Sequence, residues 1–190
     1  MPAGMPRFLY SQFLKYSLWV LPAFAFVKLI RRASILQTFK ISTVADIRSL
    51  GVGILIGLFY LMGVVWDVTR KHNVSISVLV EKLATRGGIP SLWNLSISFT
   101  EEFLFRGLVL HEISRTFGFW RGNLFCSLLF TMIHWPYWLC WSKGIQLDFF
   151  LDSGAIFLFS LVLGYLVKKT KSLWPAIIVH ALNNFIVGVF

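Results

Sequence analysis

Six apolar stretches, each about the length that crosses a bilayer, constrain this chain more than any other feature. About 20 apolar residues are needed to span a hydrocarbon core of about 30 Å. The stretches run over Phe8–Val27, Leu50–Trp66, Leu92–Ile113, Gly122–Leu139, Phe149–Val167 and Leu173–Phe190. A chain of this kind is expected to be all-α: one polytopic bundle of about six transmembrane helices over residues 1–190, a multi-pass protein of the cell membrane. Composition agrees, since 57% of residues are hydrophobic and 14% charged. A soluble domain has about 25% charged residues.

The net charge of +10 would suit a nucleic-acid binder, but the Lys and Arg lie between the apolar runs and form no single patch. Basic residues beside spans face anionic lipid, so lipid is the expected partner and nucleic acid is not. Under six antiparallel spans, ten of the loop and terminal Lys/Arg fall on one side and six on the other. By the positive-inside rule this places the N-terminus outside. Lys15 interrupts the first run and no A-x-A site follows, so the start does not read as a cleavable signal peptide. Cys126 and Cys140 make no CxxC pattern and indicate neither a disulfide nor a zinc site. Two long connections, Lys28–Leu50 and Asp67–Ser91, could each hold an amphipathic interfacial helix, and Gly87-Gly88-Ile89-Pro90 breaks the chain before the third span.

Ionisable groups inside a span are costly and are functional candidates by default. The third span reads Phe99-Thr-Glu101-Glu102-Phe-Leu-Phe-Arg106. Glu102 and Arg106 are four residues apart, share a helix face and can pair. Glu101 is turned about 100° away, which leaves it without that partner, for chemistry or for bonding a neighbouring helix. The fourth span carries Phe130 and, one turn on, His134, followed by Trp135-Pro136. The sixth carries His180 and, one turn on, Asn184, with Asn183 pointing elsewhere. Each motif alone reads as interfacial packing or interhelical hydrogen bonding.

Depth changes that balance. At 1.5 Å per residue, Glu101 lies about 15 Å below the side of the second connection. His134 lies about 10 Å, His180 about 18 Å and Asn184 about 12 Å from the same side. All four fall in one layer. A carboxylate, two imidazoles and an amide at one depth suit hydrolysis: Glu101 as general base with help from His134, and His180 with Asn184 as donors to an oxyanion. Glu101, His134 and His180 would also make a two-histidine, one-carboxylate set for a divalent metal such as zinc. His111-Glu112 lacks the second histidine of an H-E-x-x-H motif and reads as interfacial.

Glu101-Glu102-x-x-x-Arg106, Phe130-x-x-x-His134 and His180-x-x-x-Asn184, in this order, resemble the CAAX-protease and bacteriocin-processing (CPBP, or Abi) family of intramembrane endopeptidases. The motifs span residues 101–184, within a motif-bearing core of about residues 91–190. It implies a catalytic cavity between membrane helices, water activation by Glu101 and His134, oxyanion stabilisation by His180 and Asn184, and supporting roles for Glu102, Arg106 and Phe130. The implied partner is a membrane-associated or lipidated protein or peptide, cut in CAAX-type or leader-peptide processing. The alternative is a catalytically silent immunity or assembly protein of the same family. A proton-coupled transporter is a further option, disfavoured because neither an internal repeat nor paired broken helices occur.

Overall fold

In lipid each backbone N–H and C=O must be satisfied within its own segment, so apolar runs of this length fold as helices. A computed structural model of the chain describes residues 5–34, 38–39, 47–85, 89–142 and 145–188, and they contain helices and no strand. Helix α1 covers 5–30, with π-helical turns at Tyr16–Val20 and Phe26–Ile30. Helix α2 is Ile47–His72 and α3 is Ile76–Thr85. Helix α4 runs over 89–117 and widens into a π-helical turn at Phe103–Val109. Helix α5 is Phe119–Met132, α6 covers 135–142, α7 is Leu147–Thr170 and α8 is Trp174–Val187.

Three of these are long and apolar enough to cross a membrane: Gln12–Ile30, Gly53–His72 and Leu147–Thr170. Trp174–Val187 is apolar but shorter. Outward faces are apolar at helical spacing, as with Leu55, Leu58, Phe59, Met62 and Trp66 on α2 and Leu124, Phe125, Leu128 and Leu129 on α5. Contiguous exposed apolar surface of this kind is foreign to a water-soluble monomer and suits lipid.

Expected span limits shift in the structure, most sharply in the fourth. The fourth, expected over Gly122–Leu139, stops at Met132. Pro136 has no N–H to give the Met132 carbonyl four residues back, so the chain turns at Ile133–His134 and restarts with Pro136 in the first turn of α6. The third is longer than expected and ends at Gly118, whose φ of +78° is open to glycine and costly for other residues. The second connection is shorter than expected because α2 continues to His72, and it does contain a helix, α3, which buries Leu79 against Val68 and Ile186. Residues 35–37 and 40–46 of the first connection fall outside the described residues, as do Gly87 and Gly88.

Helix α8 lies at the centre, against the first half of α4, α2 and α7, while α5 packs on α7 and on Leu110–Phe117. Small residues allow the close approach: a Cβ at Gly57 of α2 would stand 2.6 Å from Val179 Cγ2 of α8. Phe39 is fully buried and stacks on Phe103, 3.7 Å between ring centroids, which seals α4 on the side of α1.

Candidate functional site

Glu102 and Arg106 pair as their spacing predicts, with Arg106 Nη1 donating to Glu102 Oε1 at 2.8 Å. Both are buried, Glu102 at 0% exposure. A buried ion pair persists only when further hydrogen bonds offset its desolvation. Here Arg106 Nη2 also donates to Ser160 Oγ at 2.9 Å and to its carbonyl at 3.2 Å, and the guanidinium carbon sits 4.4 Å from the Phe130 ring centroid. This ties α4 to α7 and α5.

The same carboxyl oxygen takes a second donor. His180 Nδ1 lies 2.7 Å from Glu102 Oε1. A carboxylate accepts and does not donate, so Nδ1 carries the proton and Nε2 is the nitrogen left for chemistry. His180 Nε2 stands 3.8 Å from Glu101 Oε2, just beyond hydrogen-bond distance. The supporting glutamate thereby aims the imidazole at the other glutamate. Phe159 and Phe130 meet the His180 ring edge-on, at 5.3 and 5.8 Å, and fix its plane.

Glu101 is not the free carboxylate that helix geometry alone suggests. Lys15 Nζ of α1 donates to its Oε1 at 2.5 Å. Positions three and four residues ahead of Glu101 are Leu104 and Phe105, so its own helix offers no cation there and the counter-charge comes from another. An intramembrane lysine was itself the available signal; a reading that treated Lys15 only as an interruption missed it.

His134 sits in the turn after α5, not within a span. Its Nδ1 donates to the Phe130 carbonyl at 2.9 Å, satisfying one of the carbonyls left open at a helix end. Its Nε2 is then the nitrogen available for proton transfer. The Phe130 ring is shared by the two imidazoles, 5.1 Å from His134 and 5.8 Å from His180.

Asn184 Nδ2 donates to Ser98 Oγ at 3.3 Å, one turn before Glu102 on α4. Asn183, expected to point elsewhere, joins this network: its Nδ2 donates to Asn184 Oδ1 at 3.3 Å, and Tyr60 OH of α2 donates to Asn183 Oδ1 at 3.4 Å. The chain of donors runs one way, from Tyr60 to Ser98. In this arrangement one Asn184 Nδ2 proton stays uncommitted. Tyr60 also stacks on Phe159, at 4.8 Å, the ring that borders His180. Nothing in its sequence surroundings distinguishes Tyr60 from other aromatic residues of an apolar run.

Glu101, His134 and His180 do not stand here as a ligand set. Among the described residues no three His, Cys, Asp or Glu side chains group to hold a metal ion. Glu112 is engaged by Arg31 and, at 3.9 Å, by Arg115. Both cysteines are free, Cys126 buried and Cys140 exposed.

Comparison with known proteins bears out the CAAX-protease resemblance. Curated proteins and solved structures gave no match. A family model described as type II CAAX prenyl endopeptidase Rce1-like matches residues 88–186, just over half of the chain and inclusive of every motif residue named above. By that match, the chain belongs to the Rce1-like family of type II CAAX prenyl endopeptidases.

Proposed function

We propose that this chain is an intramembrane endopeptidase that cuts a membrane-associated or prenylated protein or peptide, in a bundle of about six spans in the cell membrane. The observation that carries the reading is the asymmetry of the two glutamates. Each carboxylate engages one oxygen, Glu102 Oε1 with Arg106 and His180 and Glu101 Oε1 with Lys15, but Glu102 Oε2 is shut in the interior without a partner whereas Glu101 Oε2 faces His180 Nε2 at 3.8 Å. One carboxylate builds the site, and the adjacent one turns its uncommitted oxygen to the second imidazole nitrogen.

In the reaction, Glu101 Oε2 takes a proton from water as the water oxygen adds to the peptide carbonyl. The oxyanion that forms accepts hydrogen bonds from the remaining Asn184 N–H and from His180 Nε2 in its imidazolium form. Collapse breaks the C–N bond, and the leaving nitrogen takes the proton that Glu101 received, with His134 Nε2 as the shuttle. Each oxyanion donor is worth about 10²–10³ in rate and the general base about 10²–10⁴.

The test compares membrane-protein termini in cells expressing wild type and Glu101→Ala. Cleavage products that vanish in the variant support the endopeptidase. Full biological activity of Glu101→Ala and His134→Ala would instead favour the silent immunity or assembly role.

A further inference from the structure

The charged contact made by Lys15 is supplied by α1, outside residues 88–186 that match the family. Its placement is part of a register and not an isolated touch. Gln12, one turn earlier, is buried and accepts from Ser96 Oγ of α4 at 3.3 Å. Gln12 with Ser96 and Lys15 with Glu101 are two polar pairings along the same pair of helices. One turn later the Trp19 ring lies 5.3 Å from the Lys15 ammonium and meets Phe105 edge-on at 6.2 Å. Phe105 meets Phe130 edge-on at 5.1 Å. Polar contacts before Lys15 and aromatic contacts after it hold the ammonium where it is.

A mostly buried carboxylate costs several kcal/mol unless paired, and Glu101 has no cation on its own helix. Pairing through Oε1 also makes its two oxygens unequal, since Oε1 is held and Oε2 is turned to His180. We propose that Lys15 is a positioning residue of the reaction: it holds Glu101 by Oε1 as a carboxylate and so presents Oε2 to the attacking water. The catalytic unit then includes the first helix, and residues 88–186 do not complete it. This inference rests on the endopeptidase reading.

The experiment uses full-length protein in phospholipid vesicles with a fluorescence-quenched farnesylated CAAX-type peptide as probe. Wild type, Glu101→Gln, Lys15→Met and Lys15→Arg are compared for kcat, KM and thermal unfolding. Cleavage by wild type but not by Glu101→Gln establishes the underlying reaction. In Lys15→Met, kcat falls about 10- to 100-fold with KM within about twofold, the pattern of an interaction used in the transition state. Lys15→Arg, which keeps the charge, recovers kcat to within about threefold at the same unfolding temperature. If Lys15→Met does not fold, Lys15→Gln, which keeps a hydrogen-bond donor without the charge, takes its place with the same expectation. The proposal is overturned if the neutral variants keep or exceed the wild-type kcat, if only KM changes, or if Lys15→Arg is as slow as Lys15→Met. Absence of any Glu101-dependent cleavage overturns the endopeptidase reading and this inference together.

Discussion

The segment 88–186 and the segment before it contribute to the site in opposite ways. The first builds a polar core from its own residues: Glu102, Arg106, Ser160 and His180 bond one another across α4, α7 and α8. The earlier segment is largely apolar and outward-facing along α2, yet it sends in two polar side chains, Lys15 to Glu101 and Tyr60 to Asn183. Adjacent glutamates thus have their charges balanced by different means. Glu102 uses a partner one turn along its own helix, which any helix can offer. Glu101 depends on the docking of another helix. The first arrangement is a property of a segment and the second is a property of the assembled bundle.

Four changes probe that contrast, in decreasing order of effect. Glu101→Ala is expected to remove about 10⁴ of the rate, the upper end of a general-base contribution; initial rates on the farnesylated peptide, normalised to folded protein, measure it. Arg106→Met strikes the locally paired glutamate and leaves a buried charge uncompensated, a loss of about 3–5 kcal/mol. It is seen as loss of folded protein in a detergent unfolding series, and activity falls only as folded protein is lost. Equal stability of Arg106→Met and wild type would refute the structural role given to Glu102 and Arg106. Asn184→Ala removes an oxyanion donor and is expected to lower kcat about 10²-fold with a small change in KM. Tyr60→Phe keeps the Phe159 stack and deletes one hydroxyl, so about 1 kcal/mol of stability is lost, and kcat drops a few-fold as Asn183 and Asn184 lose their anchor. If Tyr60→Phe is silent in both readouts, the earlier segment reaches the site through Lys15 alone.

Much of this was legible because helices have a fixed period. The spacing of Glu102 and Arg106 predicted their pair, and the rise per residue brought Glu101, His180 and Asn184 to one depth, where α4 and α8 do meet. His134 shares the Phe130 ring with His180, but from a helix end. The apolar run continues past it to Leu139, whereas Pro136 ends the helix at Met132 and the histidine caps that end. The partners of Glu101 and Asn183 were not legible, because both were judged from the face of a single helix. Tyr60 and Lys15 lie 123 and 86 residues from the groups they contact, and no periodicity spans such distances.

The sequence by itself determined a helical chain with outward apolar faces, the local ion pair of Glu102 and the family motifs, because each depends on spacing within one segment. Only the tertiary structure decided which cation holds Glu101, which way the His180 ring faces and which side chains Asn184 joins. Those depend on how helices dock, and docking is settled by packing across the whole bundle: a tight approach at Gly57, an aromatic ladder from Trp19 to Phe130, and a carboxyl oxygen shared by an arginine and a histidine from different helices.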